Sequence, residues 1–476
     1  MEKTPAANEQ ADGPQKPEPA VFEPIDPAVE RRVLRKLDLL LLPLLCICYM
    51  LQFLDKSSLN YATLMNIRQD LNLVGSQYSW ASSIFYFGYL LMSYPTSYFI
   101  VKFPIGYYVS SAVILWAAII MVHAACHDFA GIATVRFFLG VTEATVAPAF
   151  AILVGSFYKR SEQPLRQCFW FVGNAFAGII GVEGEFGVLF LLFGGCTIVW
   201  GVVMVLFLPN SPGTCRFLTP EERDVAVRRL QTSAAKQTTN YKMYQVKEAL
   251  LDPQTWILVV YQFCMNIPNG GLTSFGSLII SGFGYSTFRT LILQIPVACA
   301  QIFWILLSAG LATYLKNARL PTMIFMVLIS VVGTVMMFAI NKSQKEARLA
   351  GFCLTVAYVA NLPLTMSVVT ANVAGYTKRT VVLSLTFIAY CVGNIAGPQF
   401  FISNEAPGYR SGLIAGVCGF AIAALMLILL AVYYLLQNRS RNAEGAGMDG
   451  VHQINGEEIM DDDQTDKEHR GFRYVF

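Results

Sequence analysis

Residues 412–436 have the sequence GLIAGVCGFAIAALMLILLAVYYLL, an apolar run without one charged side chain. A membrane hydrocarbon core of about 30 Å requires about 20 apolar residues of a helix, so this run is long enough to cross a bilayer. Apolar stretches of the same character recur along the chain from residue 37 onward. The pattern predicts an all-α polytopic membrane protein.

The amino-acid composition supports this fold class. Of the 476 residues, 55% are hydrophobic and 14% are charged, whereas soluble domains carry about 25% charged residues. The eleven cysteines lie mostly inside apolar stretches and show no CxxC or Cys/His metal-binding spacing. A Walker A sequence is also missing from the chain, so direct use of ATP is unsupported. We therefore predict no metal, no cofactor, no nucleic-acid partner and no enzymatic activity.

One polar interruption divides the apolar stretches into two groups of six. The twelve predicted spans are 38–58, 78–100, 105–126, 131–157, 165–182, 187–208, 254–280, 288–314, 320–341, 347–371, 380–403 and 410–436. The predicted organisation is a disordered cytosolic N-terminal tail (1–36), a six-helix bundle (37–208), a central loop (209–253), a second six-helix bundle (254–436) and a disordered cytosolic C-terminal tail (437–476).

The fifth predicted span is atypically short. Residues 166–208 must supply two spans and a turn, and Glu183 and Glu185 lie where that turn would be. A short hairpin keeps the number of spans even. The alternative is a deletion or a wrongly joined coding sequence.

Basic residues predict the orientation, because Lys and Arg concentrate in cytosolic loops. The central loop, both terminal flanks and alternate short loops are rich in Lys and Arg. The opposite side holds only Arg68, Arg289, Lys342, Lys345, Arg348 and Arg410. Both termini are therefore expected in the cytosol. In the central loop, Thr219-Pro220-Glu221-Glu222 has the pattern of a capping box and predicts a short helix to about Leu230.

Several short motifs occur in order along about 400 residues: Phe53-Leu54-Asp55-Lys56, Asn60-Tyr61-Ala62, Arg136-Phe137-Phe138-Leu139-Gly140 with Glu143, Tyr158-Lys159-Arg160, Glu162-Gln163-Pro164-Leu165-Arg166, Leu208-Pro209-Asn210-Ser211-Pro212, Phe217-Leu218-Thr219-Pro220-Glu221-Glu222-Arg223, Asn266-Ile267-Pro268-Asn269-Gly270-Gly271 and Gly393-Asn394-Ile395-Ala396-Gly397-Pro398-Gln399. Together they resemble the major facilitator superfamily, and within it the fungal anion–cation symporter branch of allantoate and nicotinate permeases. The loop after span two, residues 102–108, departs from the usual acidic and basic glycine motif of this superfamily.

Charged residues inside the membrane are costly and often functional. Lys56 is a candidate for attracting an anion; the alternative is an interfacial pair of Asp55 and Lys56. Arg136 and Glu143 are seven residues apart and share a helix face, about 10 Å apart along the axis. A guanidinium suits a carboxylate, and the resemblance implies that Arg136 binds the substrate carboxylate while Glu143 accepts the proton. The alternative is a structural salt bridge.

Polar amides complete the set of candidates. Asn266 and Asn269, beside Pro268, are expected to interrupt span seven and line a polar cavity. Asn394 on span eleven and Asn174 on span five are candidates for hydrogen bonds to substrate, with interhelical packing as the alternative. Tyr86 and Tyr89 on span two are also expected to line the cavity.

The resemblance implies a plasma-membrane permease that takes up a small organic anion with a proton by alternating access between its two halves. A monomer is expected. Two alternatives stay open: proton-driven efflux of a secondary metabolite by the same fold, and a transport-inactive, receptor-like membrane protein.

Overall fold

The structure is a computed structural model. It describes residues 26–65, 67–159, 186–231, 241–315, 318–443, 451–454, 457–460, 463–469 and 471–476, with the single positions 162, 166, 169, 170 and 173. Apart from positions 166, 169, 170 and 173, the predicted span 165–182 lies outside the described residues, as do its candidate Asn174 and the predicted disorder of residues 1–25.

The first half is built from long helices that run back and forth. They are α1 (Pro27–Ala62), α2 (Gln77–Lys102), α3 (Ile105–Val122), α4 (Phe129–Glu143), α5 (Val146–Phe157) and α6 (Phe186–Phe207). One-turn 3₁₀ helices, Thr63–Met65 and His123–Ala125, extend α1 and α3, and a four-residue helix, Ile67–Asp70, lies between α1 and α2.

The helix α1 begins well before the predicted end of the N-terminal tail at residue 36. Asp26 caps it, because its Oδ1 accepts a hydrogen bond of 2.9 Å from the Ala28 amide, and Pro27 occupies the first helical position. Proline at this position loses no helical hydrogen bond. The described part of the predicted tail is therefore helical and not disordered.

A break at Ala144 and Thr145 separates α4 from α5. Pro148 is the third residue of α5 and has no amide hydrogen to give to the Ala144 carbonyl, so the regular helical ladder is interrupted there. Together α4 and α5 form one crossing. The break places Glu143 at the last position of α4.

The central loop contains two helices, α7 (Pro220–Gln231) and α8 (Met243–Leu251). The predicted capping box of α7 is confirmed: the Thr219 amide donates to Glu222 Oε2 at 3.0 Å, and the Glu222 amide donates to Thr219 Oγ1 at 3.3 Å. Lys36 of α1 also binds Glu222 at 2.7 Å, which lowers the pKa of that carboxyl group. These contacts attach α7 to the first half.

The second half repeats the layout of the first. Its helices are α9 (Pro253–Ser281), α10 (Thr287–Ile292), α11 (Gln294–Tyr314), α12 (Arg319–Ala339), α13 (Lys345–Thr355), α14 (Asn361–Asn372), α15 (Tyr376–Ala396) and α16 (Arg410–Ala443). Here α10 with α11, and α13 with α14 through the 3₁₀ turn Val356–Ala360, each form one crossing.

The predicted interruption of span seven is wrong. α9 continues from Pro253 to Ser281 through Asn266, Pro268 and Asn269. Proline is tolerated inside membrane helices where neighbouring helices support the freed backbone groups. The irregular backbone of the second half lies elsewhere, in the 3₁₀ turns Val356–Ala360 and Gly397–Phe400.

Nine helical stretches among the described residues are long and apolar enough to cross a membrane. The helices α2 and α9 have membrane-spanning length but carry more polar residues. In the first half α2 packs on α4 and α3 on α6, and in the second half α9 packs on α15 and α16. The halves meet where α1 faces α9 and α2 faces α15. The all-α, two-bundle fold is confirmed.

The C-terminal region differs from the predicted disordered tail. α16 continues to Ala443, and a short antiparallel hairpin follows, β1 (Val451–Ile454) with β2 (Glu457–Met460). Residues 463–469 and 471–476 pack against the second half, with Asp466 fully buried. Tertiary hydrogen bonds and ion pairs hold this segment in place, together with the packing of Phe472, Tyr474 and Phe476 against the core.

Candidate functional site

A cavity of about 100 Å³ lies between the two halves. Each half contributes helices to its wall: α1, α2, α4 and α5 from the first, and α9, α14 and α15 from the second. Its polar lining side chains are Tyr49, Gln52, Lys56, Tyr86, Tyr89, Glu143, Tyr261, Gln262, Asn266, Asn269, Thr273, Tyr358, Asn361, Thr365 and Tyr390.

One face of α1 supplies the only cation among the described lining residues. Tyr49, Gln52, Phe53 and Lys56 follow each other at helical spacing and all line the cavity. Lys56 Nζ lies 4.7 Å from the centre of the Tyr86 ring and 3.5 Å from the Tyr390 hydroxyl. Lys56 thus reaches across the cavity to the second half, and no described carboxylate forms an ion pair with it.

Asp55 does not pair with Lys56. Neighbouring residues of a helix point about 100° apart, and the fully buried Asp55 faces α6, where Thr197 Oγ1 donates to Asp55 Oδ2 at 3.3 Å. The interfacial Asp55–Lys56 pair, which was one interpretation of the sequence, is not formed.

Glu143 is the only acidic side chain among the described residues of the cavity wall. It is 1% exposed. Gln52 Nε2 lies 3.4 Å from Glu143 Oε2, and also 3.4 Å from the Glu143 carbonyl oxygen. Glu143 Oε1 has no hydrogen-bond partner within the described part of the chain. The charges of Lys56 and Arg136 both act on Glu143.

Arg136 is 4% exposed and is not among the residues that line the cavity. It lies two turns before Glu143 on the same face of α4, as its spacing predicts. Its Nε and Nη1 atoms find no hydrogen-bond acceptor among the described residues. A buried guanidinium with open donors can orient a carboxylate, but in this conformation it lies behind the cavity wall and not in it.

The predicted asparagines form one hydrogen-bond network between α9 and α15. Asn269 Nδ2 donates to Asn394 Oδ1 at 2.7 Å, and Asn394 Nδ2 donates to Asn266 Oδ1 at 3.1 Å. The Tyr358 hydroxyl donates to Asn269 Oδ1 at 2.8 Å. Asn266 and Asn269 line the cavity, whereas Asn394 lies behind them and joins the two helices.

Several cavity residues were not singled out from the sequence. Gln52 lies one helical turn before Lys56, so helical spacing from that lysine would have indicated it. Tyr358 and Tyr390 come from distant helices, and no local signal in the sequence marks them. The aromatic residues predicted on span two, Tyr86 and Tyr89, do line the cavity.

The cavity is closed at the end of the molecule opposite the central loop. There the Tyr78 hydroxyl donates to the Ser274 carbonyl at 2.6 Å, and Ser83 Oγ donates to the Ile395 carbonyl at 2.7 Å. The side-chain Nε2 of Gln399 also donates to Ser83 Oγ at 3.0 Å. We call these contacts between the halves the seam.

Residues 45–398 match the family model of the Major Facilitator Superfamily. An uncharacterized transporter of Schizosaccharomyces pombe is 34% identical over 94% of this chain and 86% of its own length. The allantoate permease of Saccharomyces cerevisiae is 32% identical over 95% of this chain and 87% of its own length.

A solved structure shares the fold at low sequence identity. It is a bacterial homolog of the human lysosomal transporter Spinster, crystallised in an inward-facing and occupied conformation. The match has a TM-score of 0.60 and 17% identity, and covers 82% of this chain and 96% of that one.

Proposed function

The chain belongs to the major facilitator superfamily, and from this premise we propose that it takes up a small organic anion together with a proton by alternating access. Membership makes it a multi-pass membrane transporter and not an enzyme. The anion, the proton and the direction of transport are the proposal.

The observation that carries the proposal is the placement of Lys56. It is a cation in the cavity wall, within reach of both halves, and no described carboxylate lies within ion-pair distance of it, although Glu143 of the same cavity acts on it through charge. In a site of low dielectric constant an unpaired ammonium attracts an anion more strongly than it does in water. The carboxylate class also fits the name of the relative called allantoate permease.

Glu143 is the proposed proton site. Its carboxyl group is buried in the same cavity as Lys56, and one of its oxygens has no partner among the described side chains. Burial favours the neutral, protonated form of a carboxyl group, whereas a nearby cation favours the charged form. Substrate at Lys56 and a proton at Glu143 would therefore influence each other through charge.

Arg136 remains a predicted carboxylate ligand, and Asn266 and Asn269 remain proposed polar contacts for the substrate. Because Arg136 lies behind the wall, we propose that Lys56 meets the carboxylate in this conformation and that Arg136 acts mainly through its charge on Glu143. Asn394 is proposed to position Asn266 and Asn269 and not to contact the substrate.

The proposed setting is the plasma membrane, with a monomer whose two termini face the cytosol. The distribution of basic loop residues supports this orientation. With the central loop in the cytosol the closed seam faces outward, and we propose on this basis that the structure represents an inward-facing state.

The test is uptake of a panel of labelled carboxylates into cells that express this chain, at an outside pH of about 5 and about 7.5. We expect uptake of one panel member to rise at the lower pH. Lys56→Gln should raise the KM for that substrate at least about tenfold, the equivalent of about 1.4 kcal/mol. Lys342→Gln, a change at an exposed loop lysine, is the control.

Two results would contradict the proposal. An unchanged KM in Lys56→Gln would show that Lys56 is not the anion site. Equal uptake at both pH values would show that transport is not coupled to protons. Eight aromatic rings line the cavity, which favours efflux of an apolar compound as the second candidate. Export of an uncharged aromatic probe, insensitive to Lys56→Gln, would establish that function instead.

A further inference from the structure

Residues 463–469 and 471–476, which we call the strap, lie across the second half at its central-loop end. They contact the start of α12 and α15, the end of α14 and α16, and the side of α8. Thr465 and Asp466 are fully buried, and Tyr474 is 3% exposed. The strap is therefore packed into the bundle as part of its structure.

A buried charge cluster holds the strap at its centre. Lys378 Nζ is fully buried and lies 2.7 Å from Asp466 Oδ1, 2.7 Å from Asp252 Oδ2 and 2.9 Å from Glu248 Oε1. Burial opposes ionisation of Asp252, but the charge and hydrogen bonds of Lys378 keep the pKa of that carboxyl below its usual value. A buried ion pair persists only when its partners are satisfied in this way.

The second oxygen of Asp466 connects the strap to itself and to α9. Asp466 Oδ2 accepts hydrogen bonds from the Tyr474 hydroxyl at 2.7 Å and from Gln254 Nε2 at 3.2 Å. The Tyr474 ring stacks on Tyr434 of α16, with the ring centres 4.8 Å apart. One carboxylate thus links the two ends of the strap to the bundle.

Two asparagines bind the strap backbone reciprocally. Asn438 of α16 donates to the Tyr474 carbonyl and accepts from the Tyr474 amide, each at 2.9 Å. Asn372 of α14 does the same with Val475, at 2.9 and 2.7 Å. Two-way amide pairs of this kind fix the register of a docked backbone, as a neighbouring strand would.

The strap also covers α8, the last helix of the central loop. Gln245 of α8 donates to the Asp463 carbonyl at 2.9 Å, and Glu248 of α8 accepts from Thr465 Oγ1 at 3.0 Å. The same face of α8 is also bound to α15, since Gln245 Oε1 accepts from the amides of Thr377 and Lys378. The strap and α15 therefore bind α8 together through this face.

From these contacts we propose that the strap is an internal clamp that fixes α8, and with it the end of the linker between the two halves, to the second half. Because α7 is attached to the first half through Lys36 and Glu222, residues 232–240 are the part of the linker between the two anchored helices. Release of the strap leaves α8 held by α15 alone and so loosens the tether. The proposal does not depend on the substrate or on the coupling ion.

The test is amide hydrogen exchange, followed by mass spectrometry, of the purified full-length chain and its Asp466→Ala variant. Loss of the carboxylate leaves Tyr474 and Gln254 without their acceptor and removes one anion from Lys378. We expect exchange in α8 to become at least about tenfold faster, because local opening then costs less free energy. Exchange in α13, at the opposite end of the same half, should stay unchanged.

A milder variant and a control complete the test. Tyr474→Phe keeps the ring stack and removes the hydroxyl, so it should accelerate exchange in α8 by less than Asp466→Ala does. Asp224→Asn removes an acid from an exposed pair on α7 with side-chain exposures of 42% and 55%, and should change nothing in α8. Unchanged exchange of α8 in both strap variants, or equal acceleration of α8 and α13, would overturn the proposal.

Discussion

Glu143 illustrates what a single side chain contributes at membrane depth. A carboxylate there is costly unless it is protonated or paired, so such residues usually mark ion and proton pathways. Gln52 gives Glu143 one long hydrogen bond of 3.4 Å, which does not compensate a full negative charge. The carboxyl group is therefore expected to change its protonation state when a substrate anion neutralises, or ceases to neutralise, Lys56.

Glu143→Gln should abolish proton-driven accumulation of the substrate and leave exchange of substrate across the membrane partly intact. Glutamine keeps the size of the side chain and can still bond with Gln52, but it cannot release or accept the proton. Uptake at an outside pH of about 5 and counterflow of preloaded substrate are the two measurements. If accumulation by the Glu143→Gln variant still rises at acidic pH, Glu143 does not take part in proton coupling.

Residue-level prediction from the sequence succeeded where helical spacing was enough. The shared face of Arg136 and Glu143 follows from their separation of seven residues. The divergence of Asp55 and Lys56 was not predicted, although it follows from their adjacency. Spacing within a helix does not say which neighbour that face meets. The position of Arg136 behind the cavity wall depends on tertiary packing and was not predictable.

At the scale of helices, close packing of α2 on α4 depends on two glycines. A Cβ atom on Gly140 would lie 1.9 Å from the Phe85 carbonyl oxygen, and one on Gly88 would lie 2.0 Å from the Phe137 carbonyl oxygen. Small residues allow membrane helices to approach this closely. The α2–α4 pair also positions Tyr86 and Glu143 on the cavity wall.

Gly140→Ala should therefore lower the unfolding temperature by several degrees, since forcing a methyl group into packed backbone costs about 1–3 kcal/mol. Gly310→Ala in α11 is the matched control. A Cβ there meets nothing within 4 Å, and alanine favours helix over glycine by about 1 kcal/mol. Thermal unfolding in detergent is the measurement, and equal effects of the two substitutions would contradict the packing argument.

Asn394→Ala tests whether the asparagine network packs helices or binds substrate. The substitution leaves Asn269 and Asn266 without their partner, at a cost of about 1–3 kcal/mol for a buried polar group. We expect a lower unfolding temperature with a KM within about threefold of the original value. A large rise in KM without loss of stability would mean that Asn394 contacts the substrate. Asn341→Ala, in an exposed loop, is the control.

The sequence predicted where helices occur better than how they begin and break. The apolar runs placed the crossings, yet Asn266 and Pro268 suggested an interruption of α9 that the structure lacks. The described interruptions lie at Ala144–Thr145, at Leu293 and at the turn Val356–Ala360. Proline inside a membrane helix does not specify a break, because support from neighbouring helices decides whether the ladder continues.

At the scale of the whole molecule, the two-bundle architecture was predictable because it depends on hydrophobicity summed over long stretches. The strap was not. The sequence of its first part is polar, like that of a disordered tail, and its order comes from partners such as Lys378 and Asn372, which are far away in the chain. Composition indicates how much apolar surface a segment can bury, but it does not identify a distant buried charge with which the segment pairs.

The seam must open if the halves alternate, so joining them there should stop transport. In a variant that carries Ser83→Cys and Gln399→Cys, whose native side chains lie 3.0 Å apart, a short bis-methanethiosulfonate reagent should cross-link the halves. It joins each thiol through a reducible disulfide bond, with sulfinate as the leaving group. The exposed Cys196, Cys299 and Cys418 are first replaced by serine. We expect uptake to fall by about nine-tenths and to recover after reduction, because a closed seam prevents loading from that side. Thr334→Cys with Thr355→Cys, a pair 3.3 Å apart within the second half, should cross-link without this loss. Full uptake with the seam cross-linked would show that the halves do not separate at this end.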